Sequence, residues 1–182
     1  LGDVYKRQII HRAFYGVPDL TNAEGLHTNG IYGFLNIMFR ILDEEKPDYL
    51  MVAFDLSAPT FRHQMYEAYK GTRKGMPDEL REQVPVLKEL IAAMGIPLLM
   101  QEGYEADDLL GTMARKSEAE GLDTVIVSGD RDLLQIATDR ILIRMPKTRK
   151  GVTEIENYHA ADVKSVYPVS YTHLRAHETV LD

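Results

Sequence analysis

The stretch TVIVSGDRD, residues 124–132, passes from an apolar run straight into Gly129, Asp130 and Asp132. A continuous apolar run of this length suits a parallel strand covered on both faces, and the acids fall where such a strand ends. DYLMVAFD (48–55) has the same form and closes on Asp55. IPLLMQ (96–101) and RILIRM (140–145) supply two further strands. Helical patterns separate them at residues 30–44, 78–94, 106–120, 132–137 and 160–166. Leu80, Val84, Leu87 and Ile91 recur at helical spacing, and Pro85 forces a kink or a restart among them. Leu109, Leu110, Met113 and Ala114 mark the buried face of the next helix, while Gly95 and Gly121 stand where helices stop. Strand alternating with helix predicts an α/β domain with a mainly parallel central sheet flanked by helices.

Composition bounds what such a domain does. The 182 residues are 45% hydrophobic and 27% charged, enough for one sizeable core. With no cysteine, a disulfide framework, a zinc ribbon and thiol catalysis are excluded. No apolar run approaches the roughly 20 residues of a membrane helix, and the first residues lack a signal-peptide pattern, so no membrane partner and a cytoplasmic location are expected. The net charge of −7 argues against a nucleic-acid partner. Its distribution argues the other way. Residues 61–75 hold Arg62, Lys70, Arg73 and Lys74 against a single Glu67, and residues 141–150 hold Arg144, Lys147, Arg149 and Lys150 with no acid. Such stretches either bind phosphate or are solvated surface charge. KTRKG (147–151) reads as a hairpin turn or a DNA-backbone contact.

GYEADDLLG (103–111) crowds Glu105, Asp107 and Asp108 ahead of a helix. Helix capping explains one or two acids there, each contributing roughly 0.3–1 kcal/mol against the helix dipole. A third adds repulsion that a proton or a cation must relieve. Ligands in open α/β sheets bind beyond the carboxyl ends of the strands. Asp55, then Glu105, Asp107 and Asp108, then Asp130 and Asp132 follow three consecutive predicted strands, a repetition that capping alone does not predict. Oxygen-only donors select hard cations, Mg²⁺ or Mn²⁺, and six carboxylates suit two ions engaged in phosphodiester hydrolysis. His11, His27, His63 and His159 have no metal-ligand spacing, and TNGIYGF (28–34) reads as a turn into a tightly packed helix rather than a phosphate loop.

Four ordered motifs carry a resemblance: FD (54–55), FRHQMYEAYKGTRKGMPDEL (61–80), EADDLLGTMA (105–114) and VSGDRDLLQI (127–136). Together they resemble the PIN-like 5′-3′ exonuclease domains of the flap endonuclease superfamily, the kind found at the N-terminus of bacterial DNA polymerase I. The resemblance covers about residues 9–169. It implies a 5′ nuclease fold with a helical arch insertion. The implied activity is Mg²⁺- or Mn²⁺-dependent cleavage of DNA bearing a 5′ flap, nick or branch, during replication and repair. Asp55, Glu105, Asp107, Asp108, Asp130 and Asp132 would hold the two metal ions or support their ligands. Lys70 and Arg73, in the arch segment, would polarise the scissile phosphate. Arg12, Arg62, Tyr69 and Lys74 would join them in contacting DNA, and Tyr66 and Tyr69 would stack on bases or be buried. The implied whole is a monomeric, nucleoid-associated bacterial protein with a covalently linked polymerase domain.

Two regions depart from the family pattern. The first strand of the family ends in Asp-Gly-Asn-Ser, whose Asp is a metal ligand, and Tyr5 stands at that register here. The segment after Val169 does not continue into the family's helix-hairpin-helix. Residues 1–8 and 170–182 therefore read as stretches foreign to the family around a body at 9–169, or as natural divergence. The chain also lacks an initiator Met. A PIN-type ribonuclease and a noncatalytic module that binds branched DNA are the alternative functions. The long basic segment between Asp55 and Glu105 disfavours the first, and an incomplete ligand set allows the second.

Overall fold

A computed structural model describes residues 2–5, 7–56, 76–149 and 152–167, with residues 2–5, 7–8, 148–149 and 152 described by backbone alone. The chain builds one six-stranded sheet in the order β3-β2-β1-β4-β5-β6. Strands β1 (Gly2–Tyr5), β2 (Tyr49–Ala53), β3 (Leu98–Leu99), β4 (Thr124–Val127) and β5 (Ile141–Arg149) run parallel. Strand β6 (Val152–Tyr158) closes the sheet antiparallel to β5. The helices are α1 (Arg7–Gly16), α2 (Asn29–Glu45), α3 (Asp78–Arg81), α4 (Gln83–Ala93), α5 (Ala106–Ala119) and α6 (Ala160–Val166), with a 3-10 helix at Arg131–Ile136.

The continuous apolar runs feed two cores, because successive side chains of a strand leave on opposite faces. Val52, Phe54, Val125 and Val127 pack with Ile9, Ile10, Phe34, Met38, Leu87 and Ile91 from α1, α2 and α4. Ala53 and Ile126 pack on the other face with Leu110 and Ala114 of α5, Leu133 and Leu134 of the 3-10 helix, and Val163 of α6. Helices thus cover both sides of a parallel sheet, as the sequence pattern predicts.

Close packing explains the glycines of TNGIYGF. A Cβ on Gly33 would lie 2.8 Å from Ala13 Cβ and 2.9 Å from Val17 Cγ2, so α1 and α2 approach only with glycine there. The start of α2 has no side-chain cap of its own. Gln83, fully buried on α4, supplies one: its Oε1 accepts from Gly30 N (2.8 Å) and Ile31 N (3.1 Å). Its Nε2 donates to Asn29 Oδ1 (3.1 Å) and Glu79 O (2.8 Å). Pro85 gives the expected restart, since it falls in the first turn of α4, where its missing N–H breaks no helical bond. Gly95 and Gly121 end α4 and α5 with φ of +76° and +78°.

Some boundaries differ from expectation. The strand at 96–101 shrinks to Leu98–Leu99 on the sheet edge, where Pro97 has no N–H to give and joins only by accepting from Val52 N at 3.0 Å. The helix expected at 132–137 is the 3-10 helix Arg131–Ile136. Strand β6 was not anticipated. It pairs with β5 down to Arg149↔Val152, which places Lys147, Thr148 and Arg149 of KTRKG in an antiparallel pair; Lys150 and Gly151 lie outside the described residues. The segment assigned to the helical arch, residues 57–75, lies outside the described residues, as do residues 168–182. Among the described residues no helix is long and apolar enough to cross a membrane.

Candidate metal centre at the carboxyl edge of the sheet

The strand order turns over at β1, which has β2 on one side and β4 on the other. Crevices at such switch points are where open α/β sheets bind ligands. Tyr5 pairs in register with Val52 and with Val127, and Asp55 and Asp130 follow those two positions by the same three residues. The acids after β2 and β4 therefore flank the end of β1, roughly 10 Å apart at a strand spacing of about 4.8 Å. The third acidic group opens α5, which follows edge strand β3 and returns over the sheet against Ala53 and Ile126.

Local hydrogen bonds bring these loops together. Asp55 Oδ1 accepts from Ala106 N at 2.8 Å, so a residue two positions beyond β2 caps a helix 51 positions away. Gly103, at φ +84°, turns the chain into α5. Glu105, buried at 9% exposure, is the N-cap residue, and its N–H donates to Asp108 Oδ2 at 3.0 Å. Asp107 and Asp108 lie half-buried in the first helical turn. Asp130, also half-buried, opens the 3-10 helix and accepts from Asp132 N at 3.0 Å, while Asp132 is exposed. Ser128, fully buried, fixes the turn between them and β4: its Oγ accepts from Asp130 N at 3.0 Å. The sequence reading missed Ser128, although a serine two residues ahead of an acid at a strand end is the available signal.

The capping and metal readings thus meet on the same side chains. Asp55, Asp108 and Asp130 each satisfy a backbone N–H at a helix start. Among the described residues, no three His, Asp or Glu side chains stand together as a ready metal site. Two features account for this: carboxylates turned to backbone donors, and a middle strand that ends in Tyr5 between the two flanking acids. The chemistry of the donor set fits a hard divalent cation, with carboxylate oxygens from three loops and no thiol. Asp55, Glu105, Asp107, Asp108, Asp130 and Asp132 are the residues that would hold it.

The basic residues divide. Arg12, expected at phosphate, donates from Nη1 to Pro146 O (2.9 Å) and from Nη2 to Gly129 O (3.4 Å). Arg144 is no part of a phosphate surface: it is 5% exposed and pairs with Glu44 and Glu45 at 2.5 Å each and with Asn157 Oδ1 at 3.0 Å. Arg40 Nε also donates to Glu44 Oε1 at 2.8 Å, and that bond first, then the one from Arg144, holds the Glu44 carboxyl below its usual range. Lys147 pairs with Glu156, which also accepts from Tyr158; burial first and that carboxylate second push the Tyr158 phenol up to about 12. His27 and His159 make local contacts, to Glu82 and to Thr138 O. Arg62, His63, Tyr66, Tyr69, Lys70, Arg73 and Lys74 lie outside the described residues.

Residues 6–167 match the family model described as the 5′-3′ exonuclease, N-terminal resolvase-like domain. The chain belongs to this 5′-3′ exonuclease family. It is 45% identical over 159 residues to DNA polymerase I of Bacillus caldotenax, covering 87% of this chain and 18% of that protein. It is 42% identical over 145 residues to a 5′-3′ exonuclease of Aquifex aeolicus, covering 80% of this chain and 50% of that one. The chain thus spans half or less of the length of these curated relatives. The exonuclease-family fold is shared with a bacteriophage T5 D15 flap endonuclease variant, solved in a pseudo-enzyme-product complex with DNA and metal ions. The TM-score is 0.66 at 16% identity, over 92% of this chain and 60% of that one.

Proposed function

We propose that this chain is the nuclease part of a DNA polymerase I-type protein, hydrolysing DNA phosphodiesters at 5′ flaps, nicks and branches. The observation that carries the reading is the delivery of carboxylates from three loops to the switch-point edge of a sheet in a chain of the 5′-3′ exonuclease family. Asp107, Asp108 and Glu105 at the start of α5, with Asp55, Asp130 and Asp132, hold Mg²⁺ or Mn²⁺, two ions in the full site. When bound, such cations neutralise charge on the phosphate and activate the attacking water. Lys70 and Arg73 bind the scissile phosphate and stabilise the charge that develops on it. Replacing either with Ala is expected to lower turnover more than DNA binding; equal small losses would reduce both to surface charge. Arg62, Tyr69 and Lys74 position the DNA strand. The protein works as a monomer, joined to a polymerase domain, on nucleoid DNA in the bacterial cytoplasm.

Tyr5 favours a second reading, a module that grips branched DNA and cuts it slowly. A tyrosine has a reference pKa of about 10 and offers no anionic oxygen at neutral pH. Residues 1–8 and 170–182 are, in this account, foreign to the family, except where the family match reaches back to residue 6. Replacing positions 1–8 by an apolar strand ending in Asp-Gly-Asn-Ser, and continuing beyond Val169 with a family-type segment, is expected to restore full cleavage. The deciding experiment compares a 5′-flap DNA with a matched RNA, with and without Mn²⁺. Metal-dependent cleavage of the DNA supports the nuclease, cleavage of the RNA alone supports a ribonuclease, and metal-independent binding without cleavage supports the binding module.

A further inference from the structure

We propose that Arg12 is a positioning residue that braces the loop carrying Asp130, and through it the cation affinity of the carboxyl edge. The consequence for metal rests on the nuclease reading above; the brace itself rests on geometry alone.

The ladder between β4 and β5 ends at Ser128, whose N–H donates to Arg144 O at 3.1 Å. Beyond it the chain leaves the sheet, and the position of Asp130 depends on whatever holds residues 128–132. Besides that ladder bond, three side-chain contacts do so among the described residues. Ser128 Oγ accepts from Asp130 N, Asp130 Oδ1 accepts from Asp132 N, and Arg12 Nη2 donates to Gly129 O at 3.4 Å. The first two are internal to the loop and move with it. Arg12 alone of the three reaches it from another element, α1, and the same guanidinium donates to Pro146 O on β5 at 2.9 Å. A planar fork that bonds carbonyls on two elements at once fixes their separation, which a lysine's single ammonium on a flexible stem does not reproduce.

This role predicts a different outcome from a phosphate contact. A phosphate contact made by charge survives Arg12→Lys in large part, whereas a two-carbonyl brace fails in Arg12→Lys as it does in Arg12→Ala. The test uses the full chain. Amide hydrogen exchange is followed for residues 128–132, with β2 and α5 as internal references, and Mn²⁺ uptake is titrated by the resonance signal of the free ion in the absence of DNA. Both variants are expected to raise exchange at 128–132 by roughly tenfold or more while β2 and α5 keep theirs, as loss of a charge-assisted hydrogen bond requires. Mn²⁺ affinity falls about 10- to 100-fold in both, the usual effect of losing a residue that orients a ligand. Guanidinium ion added to Arg12→Ala restores part of the protection.

Wild-type exchange and Mn²⁺ affinity in Arg12→Lys, with flap-DNA binding lost only in Arg12→Ala, would overturn the proposal in favour of a phosphate contact. A uniform rise in exchange across all elements would also overturn it, as general destabilisation. If the wild type takes up no Mn²⁺ while exchange at 128–132 responds as expected, the metal reading fails and the brace stands.

Discussion

Replacing Gln83 with Met removes the polar plug between α4 and α2 with little change in side-chain volume. The buried amide makes four hydrogen bonds: two accepted from Gly30 and Ile31 N–H, and two donated to Asn29 Oδ1 and Glu79 O. The loss at the start of α2 resembles loss of an N-cap, about 1 kcal/mol. Gly30 and Asn29 are buried, so their stranded N–H and side-chain oxygen add roughly 1–3 kcal/mol each. Glu79 is exposed, and its carbonyl turns to water. A near-isosteric substitution adds little cavity cost. The total is roughly 3–7 kcal/mol, which corresponds to a fall in Tm of about 10–20 °C for a domain of this size. Urea denaturation followed by circular dichroism reads it directly as a lower midpoint at unchanged slope. Gln83→Glu keeps the acceptor oxygen and loses only the Nε2 donor, and a negative charge suits a helix N-terminus, so it is expected to lose about half as much. A Gln83→Met variant within about 1 kcal/mol of wild type would refute the claim that this side chain caps α2. The link has a wider role, because α3 and α4 follow directly on the basic segment 57–75, and Gln83 ties them to the body of the domain.

His27 and Glu82 make a second tie at the same place, with Nδ1 and Oε1 2.7 Å apart and Asp19 3.9 Å from Nε2. The Glu82 hydrogen bond, then Asp19, raises the His27 pKa, and the His27 bond lowers that of Glu82. The histidine contribution is therefore complete below about pH 6.5 and lost as pH rises through its raised folded value. The Glu82 contribution is complete above its ordinary range and lost as pH falls through its lowered value. Melting curves from pH 4 to 8 should show the highest Tm between these limits, and His27→Ala should flatten the decline on the alkaline side; an unchanged decline would assign it elsewhere. Arg144→Met removes a guanidinium from Glu45 and leaves Glu44 to Arg40, and is expected to cost about 1–3 kcal/mol in denaturant melts. Flap-DNA affinity per folded molecule should not change, in contrast to a phosphate contact.

What the sequence made legible follows from how local each cause is. Strands β2 and β4 were readable because both faces are buried and their apolar runs are unbroken, and β5 because Ile141, Leu142, Ile143 and Met145 surround the buried Arg144. Helix α5 was readable from its acidic start and its stop at Gly121. Strand β6 was not, because VTEIENY carries two glutamates and an asparagine on a sheet edge, where one strand face and one ladder are open. Helix α1 was overlooked although Ile9, Ile10 and Ala13 are buried, since its first residues belong to the stretch that departs from the family. The acidic residues were found from strand-end position alone. Their partners were not, because Asp55 with Ala106, Arg12 with Gly129 and Arg144 with Glu44 are pairings across 51, 117 and 100 residues. Arg144 shows the limit most clearly: its neighbours in sequence are basic, and the acids that neutralise it come from α2.

The central claim, that the carboxyl edge holds divalent cations, is tested most directly by thermal melts of the wild type and Asp107→Asn with and without Mn²⁺. Binding to the folded state alone stabilises by about 2.7 kcal/mol at one hundred times the dissociation constant, or about 5–10 °C for a domain of this size. The account predicts a rise of that order in the wild type and none in Asp107→Asn. Without metal, Asp107→Asn should melt no lower than the wild type, because removing one of several crowded carboxylates relieves repulsion. A wild-type melting temperature that does not move with Mn²⁺ would contradict the account.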